Sequence, residues 1–266
     1  MIAMRVLKIG GSLLTVKSNY CTVNTLQVAR FGHELAALTP QLRKHLILVI
    51  GGGSFGNGIP LRYGLDHPET VDPLDVSRMT LGMFELMGHL VGTWRAAGVA
   101  AFPVQACSVI SRCGDGYRLN IEPFLSLLDR GVIPLVTGDL LPLEDWPIIS
   151  SDWLPVLIAA ETKVDDVTYL TNVAGLCTDP LDETTLVEVV DEAYLQNALG
   201  MSSGARFDVT GGMRTKVGAA GALLRMGVPA SICDGRVAGA LSAPFKQAGA
   251  VRATRFITPP VTKGGK

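Results

Sequence analysis

The chain has 266 residues, 48% hydrophobic and 18% charged, a balance that excludes a disordered or fibrous polypeptide and leaves ample material for a large core. A formal net charge of -1 excludes the broad basic surface that nucleic acid or an anionic membrane demands, so any anion must be recognised locally. The longest apolar runs, 46–50 and 156–160, are too short to span a bilayer, and Lys8 interrupts the N-terminus before a signal-peptide core forms, which sets the expectation of a cytoplasmic protein.

Short apolar runs alternate with longer stretches of helical period, as in strands crossed over by helices in a mainly parallel sheet, so the fold class is α/β. Residues 4–9 read as the first strand. Val28, Phe31, Leu35 and Leu38 then recur at helical spacing, and that helix ends near Pro40. Further strands are expected at 46–50, 99–103 and 132–136. Asn120 is placed to cap a helix running to about Arg130, with Gly131 at its end. Asp152 is placed to cap another, in which Leu154, Leu157, Ile158 and Glu161 share a face. Strands at 167–171, 229–233 and 251–257 complete the reading, with an Ala- and Leu-rich helix ending near Gly227. The whole of 1–266 reads as one unit, whose tail at 259–266 is expected to fray. Cys21, Cys107, Cys113, Cys177 and Cys233 form no C-x-x-C pair, and most are expected to be small core hydrophobes.

Four segments hold groups suited to binding an anion. Lys8-Ile9-Gly10-Gly11-Ser12 puts an ammonium in an apolar strand, where burial without an anion is costly; the plain reading is a strand-end lysine reaching solvent. Gly51-Gly52-Gly53-Ser54-Phe55-Gly56 follows a buried strand and lets backbone N–H groups converge on phosphate oxygens; the plain reading is a tight turn. Asp208-Val209-Thr210-Gly211-Gly212-Met213-Arg214-Thr215-Lys216 sets bases at a helix start, where the dipole disfavours them unless polyphosphate binds; the plain reading is a capped surface helix. Ser150-Ser151-Asp152 offers a carboxylate that either caps its helix or holds two lysines.

The glycine run also satisfies G-x-G-x-x-G, and an NAD(P)-dependent oxidoreductase is the reading to weigh against phosphate transfer. Asn57, Gly58 and Pro60 argue against a helix starting at these glycines, as the dinucleotide motif requires, and no G-x-x-x-x-G-K-[ST] is present.

Lys8-Ile-Gly-Gly-Ser, Ile50 with the following Gly-Gly-Gly-Ser-Phe-Gly, Thr137-Gly-Asp, Ser151-Asp152, Leu170-Thr171-Asn-Val-Ala-Gly and Asp208-Val-Thr-Gly-Gly-Met with Lys216 occur in an order that resembles the amino-acid-kinase superfamily. Lys17 and the Gly-Gly-Gly-Ser-Phe-Gly loop are similar to the branch containing isopentenyl phosphate kinase and fosfomycin kinase. The resemblance implies an open αβα sandwich with a mainly parallel central sheet, an acceptor-binding half over about 1–150 and a nucleotide-binding half over 151–266. It implies ATP as donor, Mg2+ held by the ATP phosphates with no protein metal ligand, a small anionic acceptor bearing phosphate or phosphonate, and a homodimer.

By the same resemblance Lys8 and Lys17 contact the transferring phosphoryl group, Lys216 the ATP phosphates, and Asp152 holds lysines in place. Gly10, Gly11, Ser12, Thr171, Asp208, Thr210, Gly211 and Gly212 fall to the nucleotide, and Gly51, Gly52, Gly53, Asn57 and Ser151 to the acceptor. Two departures stand out. Asn57 occupies the place where the branch carries a phosphate-binding histidine, and Asn172 and Ala174 replace an acidic pair. His67, in the following loop, is the substitute histidine to consider. The departures also admit a non-catalytic nucleotide-binding regulatory protein of the same fold.

Overall fold

The computed structural model describes residues 4–65, 67, 71–179, 181–200, 211–245 and 251–257. Strand β1 (Arg5–Ile9) leads through α1 (Gly11–Leu14), α2 (Thr25–Ala36) and α3 (Pro40–Arg43) to β2 (Leu46–Ile50). Helices α4 (Gly53–Tyr63) and α5 (Val76–Ala96) precede β3 (Ala101–Val104), and α6 (Ala106–Val109) opens onto a hairpin of β4 (Ile110–Cys113) and β5 (Gly116–Leu119). Then come α7 (Glu122–Asp129), β6 (Ile133–Thr137), the antiparallel pair β7 (Asp139–Leu140) and β8 (Ile148–Ile149), α8 (Leu154–Glu161) and β9 (Asp166–Thr171). The last described elements are β10 (Val189–Val190), α9 (Glu192–Gly200), α10 (Gly211–Arg225), β11 (Ala230–Asp234) and β12 (Ala253–Phe256).

Among the described residues eight strands form one sheet in the order β10-β12-β11-β9-β1-β2-β6-β3, parallel throughout except where β12 runs against β11. Both faces are covered, which is why β2, Leu-Ile-Leu-Val-Ile, is apolar and buried at every position instead of alternating. Leu7, Ile9, Leu48 and Ile50 pack on one face against Phe31, Leu35, Phe55 and Trp94 from α2, α4 and α5. Val6, Val49, Val167 and Tyr169 pack on the other against Phe124, Leu154, Ile158 and Leu223 from α7, α8 and α10. The architecture is therefore the expected αβα sandwich. Central β1 has β2 on one side and β9 on the other, so strand order diverges at its carboxyl end, where open α/β sheets leave a crevice.

All seven expected sheet strands form, the one at 46–50 with the expected bounds and the others with ends shifted by at most two residues. Several expectations fail. A helix, α4, does begin at the third glycine and runs through Pro60 to a left-handed cap at Gly64, whose φ is 64°. Phe55 and Ile59 bury one side of it, and that packing outweighs the bond Pro60 cannot donate. Asp152 does not cap α8, which starts two residues later. Asn120 does contribute at the start of α7, accepting from Glu122 N at 3.2 Å. Only Cys233 of the five cysteines is buried, and Cys113 is exposed. The 21-residue α5 has no counterpart in the sequence reading. The tail at 259–266 lies outside the described residues.

Candidate functional site

Lys8 sits fourth in β1, in register with Val49 of β2 and Tyr169 of β9, and is 3% exposed. Strand alternation fixes its direction: Leu7 and Ile9 enter one core, so Lys8 must project from the other face. Its ammonium meets Asp152 Oδ1 at 2.6 Å, while Lys216 Nζ of α10 lies 3.3 Å from Oδ2 of the same carboxylate. One buried carboxylate thus faces two lysines, and the excess charge is positive.

Asp152 is anchored from below. The hydroxyl of fully buried Tyr169 donates to the Asp152 carbonyl at 3.1 Å, and Asp152 N donates to Ser150 Oγ at 3.3 Å. Lys216 also donates to Gly212 O at 2.9 Å, one helical turn back, which directs it toward the α10 N-terminus. Burial lowers the Lys8 pKa from 10.5 to about 8; Asp152 opposes the shift and Lys216 adds to it.

The glycines make the crevice by interlocking. A Cβ at Gly11 would fall 2.1 Å from Gly53 N, one at Gly51 2.3 Å from Gly11 N, and one at Gly53 2.1 Å from Thr15 Oγ1. Gly53 also has φ of +54°, where a side chain is strained. Thr15 pins the junction, its hydroxyl donating to Gly11 O at 2.8 Å and accepting from Ser54 N at 2.9 Å. The N–H groups of Gly10 and Gly51 are committed to Leu170 O and Ile9 O, each at 2.8 Å. Among the described residues no acceptor is found for the N–H groups of Gly11 and Ser12, opening α1, or of Gly52 and Gly53, opening α4, since the first amides of a helix have no acceptor within it.

These elements enclose a cleft of about 1020 Å³. Lys8, Gly10, Gly11, Ser12, Lys17, Gly51, Gly52, Gly53, Asn57, Ser151, Asp152, Thr171, Gly212 and Lys216 all line it, so residues spread over most of the chain converge. Gly211 begins α10, and Asp208 and Thr210 lie outside the described residues. Lys17 and Asn57 are exposed at the rim. Asn172 accepts from Ser12 Oγ at 3.1 Å, an interaction made directly between side chains at the ends of β1 and β9. His67 is not among the lining residues.

Asp139 of the Thr137-Gly-Asp segment stands apart from the cleft. Its carboxylate accepts from Thr80 at 2.9 Å, Gln105 at 2.6 Å and Leu140 N at 2.9 Å, a buried and fully used structural group. Sequence reasoning missed Tyr169, Tyr20 and Arg62, of which the last two line the cleft. Among the described residues no three His, Cys, Asp or Glu side chains group as metal ligands, and no helix is long and apolar enough to cross a membrane.

The profile of the amino acid kinase family matches residues 3–234. The chain is 31% identical over 235 residues to isopentenyl phosphate kinase of Haloferax volcanii, spanning 87% of this chain and 91% of that protein. It is 25% identical over 231 residues to the Methanocaldococcus jannaschii enzyme of that name, spanning 80% and 85%. A glutamate 5-kinase of Streptococcus suis is 26% identical over 261 residues, spanning 95% of this chain and 70% of the relative. Among solved structures, an isopentenyl phosphate kinase superposes with a TM-score of 0.77 at 22% identity, covering 95% of this chain and 99% of that one. That likeness speaks for the fold.

Proposed function

The chain belongs to the amino acid kinase family, and on that premise we propose that it moves the γ-phosphoryl group of ATP onto a small acceptor already bearing a phosphate or phosphonate. The observation that carries this reading is the buried Asp152 carboxylate held between Lys8 and Lys216 at the strand ends. Phosphoryl transfer asks little covalent chemistry of a protein; it asks for in-line positioning and for charge where negative charge develops. Lys8 and Lys216 supply that charge from a desolvated position, where it acts more strongly than at the surface. Asp152 keeps the two ammonium groups from repelling one another and aims both into the cleft.

The free amides of Gly11, Ser12, Gly52 and Gly53 add donors for phosphate oxygens. In this reading residues 151–266 form the nucleotide side and 1–150 the acceptor side, with Lys17 and Asn57 at the acceptor rim. Magnesium, carried on the ATP phosphates, offsets their charge, in keeping with a site whose single buried carboxylate is already taken by two lysines. The relatives named isopentenyl phosphate kinase support a phosphorylated acceptor, and the branch likeness extends the class to phosphonates such as fosfomycin. The helix at Gly53 removes one argument against a dinucleotide enzyme, but family membership stands against that alternative.

The test is ADP release measured with isopentenyl phosphate, fosfomycin, UMP, carbamate and acidic amino acids. Turnover is expected with phosphate or phosphonate acceptors, and Lys8→Ala should lower kcat by about 10²–10³-fold with the fold retained. Activity confined to carbamate or amino acids would overturn the acceptor class. ATP binding without acceptor-dependent turnover would point to a regulatory protein instead.

A further inference from the structure

Resting on that reading, we infer that Arg62 is the specificity-determining cation of the acceptor side, and that the acceptor it selects is a short, polar phosphate or phosphonate, not one with a long hydrocarbon tail. The cleft wall contributed by α4 is a single helical face: Asn57, Gly58, Leu61 and Arg62 line it. The segment that carries Lys17, Ser18, Asn19 and Tyr20 lines the cleft as well. The two walls meet at Tyr20. A Cβ at Gly58 would come 3.3 Å from the Tyr20 ring, and the Arg62 guanidinium carbon lies 4.8 Å from its centroid. Stacking on the ring holds the guanidinium at the mouth of the cleft while leaving its N–H donors usable. Neither Arg62 nor Lys17 enters any ion pair found among the described residues. Among the described residues the acceptor side therefore presents two cations that no carboxylate pairs, and of these only Arg62 can grip two phosphate oxygens at once.

The shape of the same wall limits what the anion is attached to. Behind α4 the space toward α5 is closed: Phe55, Ile59, Met79 and Met83 are each no more than 3% exposed, and a Cβ at Gly82 would meet Ile59 Cδ1 at 2.1 Å. A separate hollow bordered by Met83, Met87, Val104 and Asp139 measures about 40 Å³, room for one water. Among the described residues these buried side chains fill the space between the acceptor wall and the core. Leu61, the wall's aliphatic residue, is 84% exposed, so an alkyl tail lying on it stays largely in water.

The test is calorimetric titration of methyl, pentyl and decyl phosphate into the protein loaded with a non-hydrolysable ATP analogue. An apolar channel would tighten binding about fourfold for each methylene buried. The closed wall predicts affinities that stay level from methyl to decyl, and a steady rise with chain length would overturn the short-acceptor assignment. Arg62→Gln should weaken methyl phosphate about tenfold and leave the ATP analogue unchanged, with Arg62→Lys intermediate. Equal affinity in wild type and Arg62→Gln would overturn the role of Arg62. Arg62-dependent binding without acceptor-dependent ADP release would instead count against the kinase reading while leaving this one standing.

Discussion

The two ends of the cleft handle charge in opposite ways. At the inner end Lys8 and Asp152 are buried and Lys216 is partly buried, and each lysine is held within 3.3 Å of the shared carboxylate. At the outer end Lys17 and Arg62 are exposed, and Arg62 rests on an aromatic ring with no carboxylate partner among the described residues. Burial raises the strength of a charge and also the cost of leaving it alone, so the inner cations need a resident counterion. Water and salt screen the outer pair, which needs none, and their attraction is modest and adjustable. In the proposed reading the inner end serves phosphoryl transfer and the outer end the choice among acceptors.

The largest effect expected from breaking this contrast is at Asp152. Asp152→Asn keeps the shape but leaves two lysines facing each other without a counterion, which should cost about 3–5 kcal/mol of stability and lower turnover by orders of magnitude. Denaturant unfolding and steady-state kinetics measure both. A variant of unchanged stability would mean that the inner triad is more hydrated than its burial shows.

A second test concerns pH. The Lys8 pKa is lowered from 10.5 to about 8, so between those values the unfolded chain keeps a proton that the folded one has lost. Its contribution to stability is unfavourable below about pH 8 and is relieved as pH rises through that window. Activity should run the other way. Because kcat/KM reports the free enzyme, it should fall above about pH 8 as Lys8 loses its charge. In kcat the falling limb should move to higher pH, since bound phosphates favour the charged lysine. A kcat/KM profile flat to about pH 10 would remove the Lys8 charge from the reaction.

The smallest effect is expected beneath the triad. Tyr169→Phe deletes only the hydroxyl that holds the Asp152 carbonyl, at a cost of about 1 kcal/mol, or a few degrees in Tm for a chain of this size. A several-fold loss in kcat with ATP affinity retained would show that the hydroxyl positions Asp152; a loss of stability alone would leave it a core contact.

Much of this site was legible because its parts are short and local. A lysine inside an apolar strand, glycines directly after buried strands and a lysine shortly after Gly211-Gly212 are each visible within a few residues. Arg62 was hidden because Gly58 and Pro60 read as breakers, so no helical face was drawn through Asn57 and Arg62, whereas burial of Phe55 and Ile59 sustains α4 across them. Tyr169 carries no local signal at all. Its role follows from parallel register, which sets it beside Lys8 and under Asp152.

The glycine runs show the same division. Sequence alone determined that β1 and β2 each end in a backbone without side chains, and conformational freedom was the reason available for it. The tertiary structure decided that Gly11 and Gly53 touch, which leaves no room for a Cβ and opens α1 and α4 side by side at one cleft. Residue type and strand period thus determined the α/β class and the candidate lysines. Pairing of Lys8 and Lys216 through Asp152 was decided only when β1, the segment before α8, and α10 came together across the sheet, because contacts over such separations depend on packing and register that no local pattern encodes.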